Sequence, residues 1–216
     1  MLALYGHPFS SYTWKALIPL YANATPFEFR MVGPDQPEHA AFVSAASPLG
    51  RFPVLVDGDT VVFEASAIVE YLHLRHPGLA PLLPADPAEA LRVRMIDRVF
   101  DLSVMSPVQE LVGEAIRNSG APAEAVRERV HGQLARAYRW IDDWLAGYAQ
   151  TGAVSLIECA ASPSLFYADW VLPIPGTSPR LRAWRAQLLA LPPVARCVDE
   201  ARPYRGFFPL GAPERD

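Results

Sequence analysis

Two adjacent serines stand where a reactive sulfur could be held. Ser10 and Ser11 follow a short apolar run at residues 2–5 and directly precede a helical pattern that extends to Tyr21. A serine oxygen at a helix start accepts a hydrogen bond from an unpaired backbone N–H, and capping alone would explain the pair. The same hydroxyl can also donate to a bound thiolate, which the helix dipole favours. Because the thiolate is the nucleophile and a free thiol has a pKa of about 8.5, such a donor would activate it.

Two further segments carry groups that can contact a ligand. Phe52-Pro53 opens a β-rich run, where a proline is tolerated because the first strand position can lack a donor. A cis bond there would turn the Phe52 N–H and C=O outward to pair with a peptide ligand, whereas trans is the commoner form, and the sequence leaves both open. Glu64-Ala65-Ser66 precedes a helix, where capping is a sufficient explanation and free N–H groups can also hold a carboxylate.

The elements that position these segments follow the order β-α-β and then β-β-α. Asp57-Gly58-Asp59 between two β-rich runs is a strong hairpin signal. Apolar periodicity predicts strands at residues 2–5, 27–32, 52–56 and 60–63 and helices at 11–21, 38–46 and 65–76. This order is typical of an α/β thioredoxin-like domain, which we assign to residues 1–77.

The remainder of the chain is predicted to be an all-α helical domain at residues 88–216, after a proline-rich linker at 78–87. Ser155 and Glu158 form a capping box at the start of one helix. Pro107 is expected to interrupt another helix, and the tail from Pro203 to be irregular. Apolar stripes predict helix faces from Leu91 to Leu102, from Val126 to Leu145 and from Leu181 to Leu191, and a further helix is expected at residues 155–172.

Composition excludes several classes of function. The formal net charge of -4 gives no basic surface for nucleic acid or anionic lipid. No apolar stretch approaches the roughly 20 residues that span a bilayer, and the N-terminus lacks the pattern of a signal peptide. Cys159 and Cys197 have no CxxC spacing, and His73 and His76 lack a third ligand, so neither a disulfide scaffold nor a metal site is expected. A reducing cytoplasm is the expected location.

Three segments together resemble the cytosolic glutathione transferases. They are Tyr5-Gly-His-Pro-Phe-Ser10-Ser-Tyr-Thr-Trp-Lys15, Pro48-Leu-Gly-Arg-Phe-Pro53-Val-Leu, and Phe63-Glu-Ala-Ser-Ala-Ile68-Val-Glu-Tyr-Leu72. The resemblance covers both domains and is strongest to bacterial and plant members that use a serine. It implies that Ser10 donates to the glutathione sulfur, with Ser11 as second choice.

The resemblance also implies roles for the other two segments. The Phe52 backbone would pair with the cysteinyl part of glutathione, beside Pro53 at the family's cis-proline position. Arg51 would lie near the glycyl carboxylate, and Glu64 would bind the γ-glutamyl end. The family normally has serine after that glutamate, whereas this chain has Ala65, with Ser66 one place later. A lost hydroxyl would cost about 1.5–3 kcal/mol of affinity if it were needed, and little if backbone N–H groups suffice.

The resemblance therefore implies conjugation of glutathione, as co-substrate, to a small apolar electrophile. The acceptor pocket is expected between the domains, lined by helix one and by Leu102, Met105 or Pro107, and a homodimer is expected through helices three and four. Glutathione-dependent isomerase or peroxidase activity stays open, as does a non-catalytic binding protein. A thiol-disulfide oxidoreductase is disfavoured because no cysteine stands near residue 10.

Overall fold

The computed structural model describes residues 1–118 and 122–216, and its first part contains one four-stranded sheet with three helices. The sheet has the order β2-β1-β3-β4, in which β1 runs parallel to β2 and antiparallel to β3, and β3 runs antiparallel to β4. The elements are β1 (Leu2–Gly6), α1 (Ser11–Ala22), β2 (Glu28–Met31), α2 (Pro37–Ala46), β3 (Val54–Asp57), β4 (Thr60–Phe63) and α3 (Ala65–Arg75). The predicted thioredoxin-like α/β domain is confirmed.

The second part is helical, as the sequence predicted. Its elements are α4 (Pro87–Val99), a π-helical segment (Phe100–Met105), α5 (Ser106–Arg117), α6 (Glu124–Trp144), α7 (Leu156–Val171), α8 (Pro179–Ala190), α9 (Pro192–Ala201) and a 3₁₀ helix (Arg202–Phe207). The predicted capping box is present, because Ser155 accepts from a first-turn N–H and the Glu158 carboxylate accepts from the Ser155 N–H. None of the described helices combines the length and apolarity that crossing a membrane requires.

The predicted interruption at Pro107 takes the form of a wide turn rather than a break. The Ser106 N–H donates to the Asp101 carbonyl, five residues back, which is the π-helical pattern. A proline has no N–H and its ring crowds the carbonyl four residues earlier. A wider turn just before Pro107 relieves this crowding, so α4, the π-helical segment and α5 run on without a loop.

Of two predicted apolar helix faces, one is buried and the other is exposed. The stripe on α6 is core, since Val130, Leu134 and Tyr138 are fully buried. The stripe on α4 is not core, because Leu91 and Met95 are exposed. Periodicity identifies a face but does not say whether anything in the same chain covers it.

The C-terminal end is more regular than predicted. The prediction missed α9, because the prolines at its start read as the end of the preceding helix, whereas proline is well suited to the first helical turn. The tail from Pro203 continues as the 3₁₀ helix to Phe207 instead of being irregular throughout.

The two parts share one hydrophobic core, in which α1 packs against α7 and α9. The fully buried Trp14 ring of α1 lies 4.9 Å from the ring of Phe166 and 5.7 Å from that of Tyr167, both on α7. Its indole N–H donates to the Pro8 carbonyl at 2.5 Å. The first turn of α1, with its two serines, is therefore held by side chains of the helical domain.

Candidate active site

The first turn of α1 presents two serine hydroxyls in different states. Ser10 is the N-cap, and its Oγ accepts from the Thr13 N–H at 3.3 Å. Ser11 is 4% exposed, and its Oγ is buried without a hydrogen-bond partner among the described residues. Leaving a buried hydroxyl unpaired is costly. The turn therefore offers one hydroxyl already used in capping and a second with free hydrogen-bonding capacity.

A cavity of about 700 Å³ opens over this turn, between the two parts of the chain. Its polar side includes Ser10, Ser11 and Arg51, and its opposite side is largely apolar. The full lining is Phe9, Ser10, Ser11, Tyr12, Gly50, Arg51, Phe52, Met105, Ser106, Val108, Gln109, Val112, Ile116, Tyr167, Phe207, Phe208 and Pro209.

The three residues predicted to line an acceptor pocket lie at two different cavities. Of these three α4-region residues, Met105 lines this cavity. Leu102 and Pro107 line a separate cavity of about 430 Å³ beside Trp140. The sequence analysis did not predict that the C-terminal tail lines the cavity, because it treated that tail as irregular.

The segment before β3 contains a cis peptide bond, Phe52-Pro53. Phe52 is half-buried and lines the cavity, and the neighbouring Arg51 is exposed. The Arg51 backbone N–H donates to Ser47 Oγ at 3.3 Å, and its guanidinium forms no ion pair with the described residues. The structure thus brings Ser10, Ser11, Arg51 and Phe52 to one cavity.

Glu64 has a strained backbone immediately before α3. Its φ of 69° lies in the region that non-glycine residues rarely adopt, at a cost of about 1–3 kcal/mol. It is the N-cap residue, yet its side chain makes no capping hydrogen bond. Ala65, the next residue, is buried. Strain that the surrounding fold maintains is a reason to look for function here.

Glu64 and Ser66 line a second groove, of about 650 Å³, between α3 and α4. The Ser66 hydroxyl accepts from the Lys15 ammonium at 2.8 Å and donates to an Asp97 carboxylate oxygen at 2.9 Å. Ser66 is therefore already engaged within the protein, whereas Glu64 is directed into the groove without a described ion-pair partner.

A buried ion cluster joins α1 to α4 next to this groove. The Lys15 ammonium is 1% exposed and lies 2.5 Å from Asp97 and 2.7 Å from Asp101. The Arg98 guanidinium lies 2.5 Å from Asp97 and 2.9 Å from Asp101. Two cations thus face two anions, as buried charge requires.

The sequence analysis did not find this cluster, although Lys15 is the only lysine in the sequence. The usable signal was that Lys15 lies within an apolar helix and that Asp97 and Asp101 are four residues apart on one helix face. A buried charge on one helix predicts an opposite charge on another helix only when the two helices are known to be in contact.

Two tyrosine side chains border the cavity over α1. Burial, followed by the Asp101 and Glu64 carboxylates, raises the pKa of Tyr12 to about 12. Burial also raises the pKa of Tyr167 well above its ordinary value, and its hydroxyl donates to the Phe9 carbonyl at 2.8 Å. Both side chains therefore stay protonated at neutral pH.

His7 lies behind the same turn and is held as a neutral ring. Its Nδ1 accepts from the Phe9 N–H at 3.1 Å, and burial lowers its pKa. The ring packs edge-on against Tyr204, with centroids 4.7 Å apart. His7 thus shapes the turn that precedes Ser10 and connects it to the 3₁₀ tail.

The remaining candidates have structural roles. Cys159 and Cys197 are buried free thiols, and burial raises the pKa of both, which makes them poor nucleophiles. The His76 Nε2 pairs with Asp57 at 2.7 Å at the end of α3. Within residues 1–118 and 122–216, no group of three or more His, Cys, Asp or Glu side chains is arranged to hold a metal ion.

Comparison with known proteins identifies the fold. Residues 4–80 match the family model for the glutathione S-transferase N-terminal domain. A solved glutathione S-transferase from Methylobacillus flagellatus, with glutathione bound, superposes with a TM-score of 0.79 at 24% identity, covering 91% of this chain and 98% of that one. The chain has the glutathione transferase fold. In that fold, the cavity over α1 lies at the junction of the thioredoxin-like and helical domains.

Curated glutathione transferases and a curated probable isomerase are similar to this chain in sequence. Glutathione S-transferase 1 from Dianthus caryophyllus is 34% identical over 54% of this chain and 51% of its own length. The chain thus spans about half the length of this and other curated relatives that it matches. A probable maleylacetoacetate isomerase from Vibrio cholerae is 28% identical over 94% of this chain and 97% of its own length.

Proposed function

We propose that the chain is a serine-type glutathione transferase that conjugates the glutathione thiolate to a small apolar electrophile. The observation that carries the proposal is that the hydroxyls at the N-terminus of α1 and the Phe52 segment face one cavity, whose other side is apolar. A peptide thiol needs a backbone group to pair with and a hydroxyl that donates a hydrogen bond to its thiolate. Both kinds of group line this cavity.

Ser10 would hold the sulfur as a thiolate. Its oxygen accepts from the Thr13 N–H, which leaves its proton free to donate to the sulfur. The positive end of the α1 helix dipole would stabilise the same anion. Each unit by which the thiol pKa is lowered corresponds to about 1.4 kcal/mol of preference for the thiolate. Ser11 would be the alternative donor, because its hydroxyl has no described partner.

The rest of the glutathione molecule would extend from this cavity toward the groove at Glu64. The Phe52 backbone, next to the cis bond to Pro53, would pair with the cysteinyl residue, and Arg51 would attract the glycyl carboxylate. Glu64 would hold the γ-glutamyl ammonium. Because Ala65 has no hydroxyl and that of Ser66 is engaged by Lys15, backbone N–H groups at the start of α3 would hold the γ-glutamyl carboxylate.

A glutathione-dependent isomerase is the second candidate. The match to a probable maleylacetoacetate isomerase over almost its whole length favours it. Such a reaction needs the same thiolate, which adds to a conjugated double bond and leaves again after rotation. The two candidates therefore share one glutathione site and differ in what happens after addition.

We also propose a cytoplasmic homodimer. The exposed apolar side chains of Leu91 and Met95 on α4 lie on a face that no described residue covers, and Leu74 on α3 is exposed as well. Exposed apolar side chains grouped on one helix face are typical of subunit contacts. A cytoplasmic location is supported by Cys159 and Cys197, which are free thiols and not a disulfide.

The deciding experiment measures glutathione binding and thiol ionisation together. Calorimetry on the wild type, Ser10→Ala and Ser11→Ala gives affinities, and thiolate absorbance against pH gives the pKa of the bound thiol. We expect the wild type to bind glutathione with a lowered thiol pKa, and Ser10→Ala to lose that shift while still binding. If only Ser11→Ala loses it, the donor is Ser11. A wild type that does not bind glutathione would contradict the proposal and favour a non-catalytic protein.

A further inference from the structure

The peptide group between Phe9 and Ser10 is fixed from both sides. Its carbonyl accepts from the Tyr167 hydroxyl at 2.8 Å, and its N–H donates to the His7 carbonyl at 2.9 Å. The first bond comes from α7 of the helical domain, 158 residues along the chain, whereas the second lies within the turn itself. Because a peptide group is planar, fixing both of its polar atoms fixes the backbone from which the Ser10 side chain departs.

The Tyr167 ring is itself held tightly, so its hydroxyl has little freedom to follow a moving turn. Tyr167 is 4% exposed. Its ring packs edge-on against three other rings, with centroid distances of 5.4 Å to Phe9, 5.0 Å to Phe166 and 5.5 Å to Trp170. Edge-to-face contacts at this spacing orient the rings that make them. The helical domain therefore presents the hydroxyl at one place, where the Phe9 carbonyl meets it.

The Tyr167 hydroxyl differs from the Ser10 hydroxyl in what it can offer to a bound sulfur. Tyr167 has a single hydroxyl proton and gives it to the Phe9 carbonyl. The Ser10 oxygen accepts from the Thr13 N–H at 3.3 Å, which leaves its proton for the sulfur. The Tyr167 hydroxyl can therefore act on a thiolate only through the Phe9–Ser10 peptide group.

We propose that Tyr167 is a positioning residue for the transfer reaction, whose hydrogen bond to Phe9 sets the direction in which the Ser10 hydroxyl points. This inference rests on the proposed function. A hydroxyl stabilises a thiolate only when its O–H is directed at the sulfur, since hydrogen bonds weaken steeply as the angle at hydrogen departs from linear. A Phe9–Ser10 peptide group that is free to rotate would lose part of this geometry while the hydroxyl itself is still present.

Satisfying a buried hydroxyl is the simpler explanation of the Tyr167 bond, and a second tyrosine shows what that role alone entails. Tyr138 on α6 is fully buried, and its hydroxyl donates to the Leu172 carbonyl at 2.9 Å. Both of these residues lie in the helical domain, and neither lines the cavity over α1. Tyr138→Phe therefore removes the same kind of bond as Tyr167→Phe and leaves the Ser10 turn untouched.

The test measures the thiol pKa of bound glutathione in these two variants, by thiolate absorbance against pH. No acceptor is added, because Tyr167 also lines the cavity and could affect acceptor binding. We expect each variant to lower the thermal midpoint by about 2–4 °C, as for one lost hydrogen bond in a chain of this size. We expect the thiol pKa to rise by about 0.5–1 unit in Tyr167→Phe, because the hydrogen bond to the thiolate is weakened, and to stay unchanged in Tyr138→Phe.

A double variant separates positioning from a direct effect. Ser10→Ala has no hydroxyl to direct, so adding Tyr167→Phe to it should raise the thiol pKa no further, although the thermal midpoint should fall again. A rise of the same size with and without Ser10 would overturn the inference. An unchanged thiol pKa in Tyr167→Phe, or an equal rise in Tyr138→Phe, would overturn it as well and leave the proposed function standing. A wild type that does not bind glutathione would instead contradict the proposed function itself.

Discussion

The ammonium nitrogen of Lys15 lies 2.5 Å from Oδ1 of Asp97, and these two side chains are 1% and 2% exposed. Lys15 belongs to α1 of the thioredoxin-like domain and Asp97 to α4 of the helical domain. One ion pair therefore crosses the domain boundary one helical turn away from Ser11. It fixes the serine turn relative to the opposite wall of the cavity, where Met105 and Ser106 lie farther along the same α4–α5 run.

Replacing Lys15 should destabilise the fold strongly. Lys15→Met keeps much of the side-chain volume but leaves Asp97 and Asp101 with one cation between them. Removing one partner of a buried pair costs about 3 kcal/mol or more, because the other charge stays buried. Denaturant unfolding measures this directly. Arg92→Met, which removes an exposed pair with Glu89, should change the free energy of unfolding by less than about 0.5 kcal/mol. Equal effects of the two changes would mean that the buried cluster does not hold the domains together.

The sequence predicted the features that depend on neighbours along the chain. The hairpin at Gly58 and the buried face of α6 follow from local turn chemistry and from helical periodicity. The ion cluster does not, since Lys15 and Asp101 are 86 residues apart.

The acceptor cavity shows a second limit of local patterns. A π-helical segment adds a residue to one turn, which rotates the following residues by about 100° relative to a regular helix. Leu102 and Pro107 therefore line a different cavity from Met105, although the sequence analysis grouped the three residues. The positive φ of Glu64 also could not be predicted from the sequence, because glutamate rarely adopts a positive φ.

Ser10 combines a capping role with the proposed catalytic one, and two substitutions separate them. Ser10→Ala removes the cap on the Thr13 N–H and should cost about 1 kcal/mol of stability, whereas Ser10→Gly should cost only a few tenths. Both variants lack the hydroxyl and should lose the shift in the thiol pKa of bound glutathione equally. Thermal unfolding and thiolate absorbance of the two proteins check this. If glutathione activation follows stability rather than the hydroxyl, Ser10 is only a cap.

Glu64 should show opposite effects on stability and on ligand binding. Glu64→Gly relieves a positive φ of 69°, which glycine adopts freely, and should raise the free energy of unfolding by about 1 kcal/mol. It also removes the carboxylate proposed for the γ-glutamyl ammonium, so glutathione affinity should fall about tenfold or more. Unfolding and calorimetry on the same variant measure the two changes. A variant that is more stable and binds glutathione normally would show that the strain serves another purpose.

Asp57 should contribute to stability in a pH-dependent way. Its hydrogen bond from His76, followed by that from Tyr71, lowers the pKa of the Asp57 carboxyl. A lowered folded pKa means that the stabilisation is complete above the ordinary Asp value and is lost as the pH falls through the folded value. Asp57→Asn should therefore flatten the acid side of the stability profile, by less than about 1 kcal/mol for a pair of this exposure. Asp59→Asn, in the same hairpin, should leave that profile unchanged, and identical profiles for the two variants would refute this assignment.

The apolar face of α4 predicts how the chain assembles. Met95 is 56% exposed and Leu91 66% exposed, so a charge at either position costs the folded monomer little but would be buried in a dimer. We expect the wild type to have twice the chain mass of 23.8 kDa in light scattering and Met95→Glu to have the mass of one chain. Leu79→Glu, at a fully exposed position in the linker and not on α4, should remain dimeric. A dimer that persists in Met95→Glu would place the subunit contact elsewhere, and a monomeric wild type would leave this apolar face without a second copy to cover it.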